Sequence, residues 1–281
     1  MPFREPTLPS PAMALVAAVT SALLLPGFAP YGTGPGGGRI LRGTFPGTFR
    51  AGYVYLPPQF DPALRYPVVY LLHGMPGSPT EYLDGTQLPA FADTAIADHL
   101  VRPFIAVLPA AGTTHGYNGE WAGPWERALV DDVVPFVDRY LPTIAAPRGR
   151  VITGLSAGGY GAVDIGLRHT DVFGAVESWS GYFQPLHDGP FKHAGPAELE
   201  ANDPTLLVSS HRKEIARRGT RFFVSSGPSH SHWFREGDSI AFAAQLRRLG
   251  LPVVLRLFPN RKGEWVSQLD AGLEWALPAK A

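Results

Sequence analysis

The stretch Arg150-Val-Ile-Thr-Gly-Leu-Ser-Ala-Gly-Gly-Tyr-Gly-Ala162 leaves this chain few architectures to choose from. An apolar run ends in Gly154-x-Ser156-x-Gly158, and a segment with helical spacing follows at once. A serine at the centre of such a bend is lifted clear of a sheet only if the turn is sharp, and a side chain two residues to either side would strike the neighbouring strand or helix. Glycine removes both collisions. The pattern therefore predicts a strand, a strained turn and a helix, with the Ser156 hydroxyl presented at the end of a buried strand.

The surrounding pattern agrees. Tyr66-Pro-Val-Val-Tyr-Leu-Leu-His73-Gly74 is an unbroken apolar run bounded by turn residues. Such runs form strands buried on both faces, and those strands belong to parallel sheets. Around it, Leu88 to Leu100 has helical spacing, Phe104 to Leu108 reads as a strand, and Ala128 to Leu141 as an amphipathic helix. After the bend, Ala157 to His169 is helical and Val172 to Trp179 extended. Asp203-Pro204 opens a helix with an N-cap and a proline at its first position, running to Gly219 as its C-terminal stop. Thr220 to Ser226, Ser239 to Leu249, Pro252 to Phe258 and Val266 to Ala276 then alternate strand and helix. Earlier, Arg39 to Leu56 reads as two strands joined at Pro46-Gly47. The fold class this predicts is α/β, a mainly parallel sheet with helices on both faces, in one domain over 39–281. The loop run around 181–203, rich in Gly, Pro, His and aromatics, is expected to act as a lid.

Residues 1 to 38 differ from the rest: Arg4 precedes an apolar run from Ala12 to Leu25, and Pro26 to Gly38 is Pro/Gly-rich. This reads as a signal-like or weakly anchoring segment followed by a linker, because a run of fourteen residues falls short of the about 20 that span a bilayer. A secreted or envelope-associated protein is expected, with a cytoplasmic one as the alternative. Any membrane contact would come through that segment. Lysine plus arginine equals aspartate plus glutamate at 24 each, so no net field favours nucleic acid. The chain has no cysteine, which excludes disulfides, thiolate zinc sites and cysteine nucleophiles.

A serine that attacks a carbonyl needs two backbone donors for the developing oxyanion. The bend supplies the Ala157 N–H. The loop His73-Gly74-Met75-Pro76-Gly77 lies at the same sheet edge and supplies the Met75 N–H. His73 and Gly74 are placed at the substrate pocket, the His73 ring shaping the loop by hydrogen bonding. Asp131-Asp132 is read as helix surface, and the basic segment from His211 to Arg218 as a solvated face.

His73-Gly74, Trp125-Glu126, the Gly154-to-Gly161 bend and His169-x-x-x-Phe173 together resemble the esterase D-like "putative esterase" family of α/β-hydrolases. Its relatives include feruloyl esterases, enterochelin esterases and mycolyltransferases. The resemblance covers roughly Gly38 to Leu277. It implies a serine esterase or acyltransferase without metal or organic cofactor, acting on a small-molecule, glycan or lipid ester, with Ser156 as nucleophile. The chain departs from the family in its C-terminal third. In the family an acid follows the strand equivalent to Thr220 to Ser226, and the catalytic histidine follows the last strand. Here His230 and His232 stand at the first place, the second reads Phe258-Pro-Asn-Arg-Lys-Gly-Glu264-Trp265, and no histidine follows residue 232.

Three readings remain at this point. In the first, His230 or His232 is a relocated base, His230 preferred, oriented by Asp188, Asp203, Glu236, Asp238 or Glu264. In the second, the fold is a silent binding protein. In the third, the bend is structural only. A metal on the two histidines would need a third ligand, and none is visible nearby. Trp233, Phe234 and Trp265 are expected to wall the pocket. The expectation carried forward is a carboxylic-ester hydrolase working through an acyl-enzyme.

Overall fold

A computed structural model describes residues 25–112, 120–228, 235–259 and 264–279. Nine strands form one sheet: β1 Phe28–Thr33, β2 Arg39–Gly43, β3 Gly52–Leu56, β4 Val68–Leu72, β5 Ile105–Leu108, β6 Arg150–Gly154, β7 Ala175–Trp179, β8 Arg221–Ser226 and β9 Val253–Leu257. Their spatial order is β1-β2-β3-β5-β4-β6-β7-β8-β9. β1, β2, β3 and β5 pair antiparallel; from β5 across β4 to β9 every pairing is parallel.

The apolar run from Tyr66 forms the centre of this sheet because it satisfies both faces. Val68, Tyr70 and Leu72 point into one core, while Val69 and Leu71 point into the other. The alternation is the strand period of two, and here both sides are apolar. The first core is roofed by α2 (Pro124–Arg127, a wider-wound stretch Ala128–Val133, then Val134–Tyr140), α3 (Ala157–Arg168), α5 (Pro204–Ser210), α6 (Arg212–Arg218) and α7 (Glu236–Arg248). α1 (Leu88–Ala97) and α8 (Glu264–Ala276) roof the second core. The short α4 (Pro196–Ala201) lies within the irregular run after β7.

Two sequence expectations need correction. Phe28–Thr33 falls in the stretch read as a linker, yet it pairs with β2 from Phe28 opposite Gly43 to Thr33 opposite Arg39. Only Phe28 of its six residues is buried, so its composition carries no alternation to read. Proline and glycine are tolerated there because an edge strand leaves one side of its backbone unpaired. The helix expected from Asp203 to Gly219 is instead two, broken at His211, and Asp203 caps the first by accepting the Thr205 N–H at 2.8 Å. The signal-like residues 1–24 lie outside the described residues.

Candidate active site

β6 ends at Gly154 and α3 begins at Ala157, so two residues turn the chain. Ser156 sits in that turn at φ 52°, ψ −115°, backbone space that a residue with a Cβ rarely enters. The turn is clamped from below. A Cβ on Gly158 would lie 1.9 Å from the Leu72 carbonyl oxygen, and one on Gly154 would lie 2.4 Å from the Gly158 carbonyl carbon. The two glycines let α3 close onto β4 and β6. The Ser156 N–H donates to Trp179 O at 3.0 Å and its carbonyl accepts Tyr160 N–H at 3.0 Å, so the strained residue is held at both ends.

The loop after β4 meets this bend. A Cβ on Gly74 would lie 3.6 Å from Ser156 Cβ, ordinary van der Waals contact, so this loop borders the nucleophile. Met75 packs on the small cluster of Ala122, Ala157, Tyr160, Tyr182 and Phe191. The two expected oxyanion donors, Met75 and Ala157, are therefore neighbours. Ala157 opens its helix, and a first-turn N–H has no acceptor within its own helix.

His73 does not face a pocket. It is 1% exposed, its Nε2 accepts the Ala111 N–H at 3.1 Å, and its Nδ1 lies 2.9 Å from Gly74 O. Accepting at Nε2 leaves the proton on Nδ1, which donates to Gly74 O. Burial pushes its pKa down to about 4, so the ring is a neutral brace at pH 7. The expectation that it shapes the loop holds, and its assignment to the pocket does not. Trp121 completes the brace, donating its indole N–H to His73 O at 3.0 Å.

A carboxylate that sequence reading missed holds the other side of the loop. Glu81 Oε2 accepts the Gly74 N–H at 3.2 Å, and a Cβ on Gly77 would lie 2.0 Å from Glu81 Oε1. Burial raises the Glu81 pKa, opposed by the Gly74 and Ser78 N–H groups. The only sequence signal was an acid seven residues beyond a loop glycine. Glu120 was also missed. Its Oε1 accepts the Tyr182 hydroxyl at 3.2 Å and the Leu186 N–H at 3.1 Å, while its Oε2 is buried with no partner among the described residues. Burial lifts its pKa to about 7.

Glu264 is the third acid at this edge. Its Oε1 accepts from Ser180 Oγ at 2.7 Å and from Gln268 Nε2 at 2.9 Å, and a Cβ on Gly227 would fall 2.0 Å from its carboxyl carbon. Gln268 in turn accepts from Ser225 Oγ at 2.6 Å. Ser180 is at φ 49°, a second strained serine beside the first strand ends. The ends of β7 and β8 and the first turn of α8 are thus stitched around one carboxylate. The other four candidate acids are engaged or placed elsewhere. Asp188 accepts Gly189 N–H, Asp203 caps its helix, Asp238 pairs with Arg235, and Glu236 stands in the first turn of α7. Trp265, 45% exposed, follows Glu264 in the first turn of α8. His230, His232, Trp233 and Phe234 lie outside the described residues.

Glu126 and His169, 43 residues apart in the chain, meet at 2.8 Å. Arg168 joins Glu126 at 2.7 Å, Asp164 at 2.8 Å and the Asn202 side-chain oxygen at 2.6 Å. This network ties the irregular run after β7 to the helix behind Ser156. Burial lifts the Asp164 pKa to about 7 even beside Arg168.

A parallel sheet with a strained serine between strand and helix, facing a glycine loop from the next strand, defines an α/β-hydrolase fold. The chain belongs to the family described as Putative esterase, which matches residues 46–276. It is 33% identical over 138 residues to an endo-1,4-beta-xylanase/feruloyl esterase of Xylanibacter ruminicola, covering 46% of this chain and 19% of that one. It is 30% identical over 237 residues to an esterase of Mycobacterium tuberculosis, covering 71% of this chain and 49% of that one. The chain thus spans half or less of these relatives. A ferulic acid esterase shares the fold at TM-score 0.70 and 22% identity, over 90% of this chain and 97% of that one. A fluorophosphonate-binding serine hydrolase of Staphylococcus aureus shares it at TM-score 0.65 and 17% identity, over 89% and 98%.

Proposed function

We propose that this protein is a serine carboxylic-ester hydrolase. The observation that carries the proposal is Ser156 at φ 52° between β6 and α3, with Gly74 against its Cβ. Ser156 Oγ attacks the ester carbonyl and gives its proton to an imidazole; the Met75 and Ala157 N–H groups hold the oxyanion. Collapse expels the alcohol, which takes the proton from the imidazole, and water then cleaves the acyl-enzyme by the same route. The base is His230 or His232, which follow Gly227 at the end of β8 by three and five residues. Glu264 is the carboxylate that orients it, because it alone of the five candidates is packed against Gly227. Acid and base have then exchanged loops relative to the family. Roles define such a triad, and chain order does not.

The names of the relatives point to aromatic acyl esters of carbohydrates as the substrate class. Export fits Arg4 followed by the Ala12 to Leu25 run, and the run after β7 acts as the lid. The test is hydrolysis of methyl ferulate and 4-nitrophenyl acetate by wild type, Ser156→Ala, His230→Ala and His232→Ala. Loss in Ser156→Ala and in one histidine variant supports the mechanism. Activity that survives both histidine variants removes the relocated base, and no turnover in wild type leaves a binding protein.

A further inference from the structure

The catalytic bend is at the carboxyl edge of the sheet; a different chemistry gathers at the amino edge. Arg102, Arg148, Arg218 and Arg221 line one cavity of about 160 Å³, whose other walls are the chain just before β6 and β7 and the end of α8. β6 runs from this edge to the bend, so at about 3.3 Å per residue the cavity lies on the order of 20 Å from Ser156. No aspartate or glutamate lines it. The chain as a whole carries no net charge, so four guanidinium groups around one cavity are a local concentration and not a reflection of composition.

Two of the four are partly committed. Arg221 donates to Trp275 O at 3.1 Å and Ala276 O at 2.7 Å while stacking on the Trp275 ring, and Arg218 donates its Nε–H to Glu214 at 2.7 Å. Each guanidinium has five N–H donors, so both keep donors to spare. The other two are uncommitted. No side-chain hydrogen bond forms at Arg102 or Arg148 among the described residues, and the Arg102 Nε is buried without a partner. A buried donor without an acceptor is costly, so such a group in a native fold calls for an explanation.

Neighbouring acids do not neutralise the cavity. Glu214 is partly exposed and divided between Arg217 and Arg218. Glu177 lies behind Arg221, and burial raises its pKa to about 8, so it is mostly uncharged at pH 7. Burial, together with the nearby Arg102 charge, also lowers the Arg221 pKa. Two like charges facing one partly enclosed space repel each other unless an anion sits between them. The planar forks suit the oxygens of phosphate, and bulk water allots about 30 Å³ per molecule, so the cavity has room for a phosphate with a short substituent.

We propose that this cavity is a binding site for a phosphate group, either inorganic phosphate or the terminal phosphate of a larger molecule such as a lipid headgroup. Its partners are Arg102 and Arg148, with Arg218 and Arg221 completing the charge.

The test is calorimetric titration of the full chain with sodium phosphate, against sodium chloride at matched ionic strength. Saturable one-site binding to wild type is expected, weakened about tenfold or more by Arg102→Gln and by Arg148→Gln, the size of one lost charged hydrogen bond. Ester turnover in both variants should equal wild type, because neither residue is at the catalytic edge. Arg148 is exposed, so Arg148→Gln decides the matter if Arg102→Gln fails to fold. Sedimentation with phosphatidylcholine vesicles, with and without phosphatidic acid, separates the two sources. Binding to the acid vesicles that free phosphate displaces identifies a headgroup; phosphate binding without vesicle binding identifies a soluble ligand. No saturable phosphate or vesicle binding to wild type, or binding that both variants retain unchanged, overturns the proposal.

Discussion

Replacing Ser156 by glycine should make the protein more stable than replacing it by alanine. Both variants lack the hydroxyl, so they differ only in the Cβ. At φ 52° and ψ −115° that Cβ is strained. Backbone strain of this kind costs on the order of 1–3 kcal/mol, and glycine relieves it. Against this, glycine adds about 0.5–1 kcal/mol of freedom to the unfolded chain. The turn cannot relax to spare alanine the strain, because Gly158 abuts Leu72 O and the backbone of Ser156 is tied to Trp179 and Tyr160. The net gain for glycine is then about 0.5–2 kcal/mol, or roughly 1–8 °C in Tm at about 2–4 °C per kcal/mol for a domain of this size. Thermal melts of the two variants by circular dichroism measure it directly. A glycine variant that melts at or below the alanine variant would refute the strained bend, and with it the reason the hydroxyl is presented.

Three further outcomes follow from the site. Glu81→Ala should lower kcat by about 10–100-fold with KM changed less than about threefold, since a misplaced oxyanion donor acts on the transition state. Glu81→Gln should recover most of the rate, because its amide oxygen still accepts the Gly74 N–H; an alanine variant with wild-type kcat contradicts the brace. Glu264→Ala should reduce kcat and shift the acid limb of its pH profile, while Glu264→Gln keeps the fold; an unaltered profile in both removes Glu264 from the machinery. Two buried groups should also make stability depend on pH, in windows that overlap and act in opposite directions. His73, lowered from 6.5 to about 4, loses about 3 kcal/mol of its contribution as pH falls through that window, because the unfolded chain takes up the proton first. Glu177, raised from 4.5 to about 8, loses its contribution as pH rises from 4.5 to 8, because the unfolded chain releases the proton first. Glu177→Gln should therefore remove the fall in Tm that Glu177 causes between pH 4.5 and 8, and parallel profiles in variant and wild type across that window would contradict this.

Much of the fold was legible because its central parallel strands are apolar on both faces. β4 and β5 read as unbroken runs, and the glycines of the bend could be tied to specific collisions. β1 was hidden because an edge strand with one buried residue carries no periodicity. Ser156, Gly74, Met75 and Ala157 could be placed because each follows a strand that the pattern locates. Ser180 and Gln268 could not, since they meet across 88 residues of chain, and Glu81 left only an undistinctive spacing of seven residues from Gly74. The ion pair of Glu126 and His169 was present as two separate motif fragments, and only the fold joins them.

The most direct test of the account is mass spectrometry of the intact protein after reaction with a fluorophosphonate. Wild type should gain one adduct, mapped to the peptide carrying Ser156, and Ser156→Ala should gain none. An adduct that persists in Ser156→Ala, or its absence from wild type under conditions that label a known serine hydrolase, would contradict the claim that this bend presents an activated nucleophile.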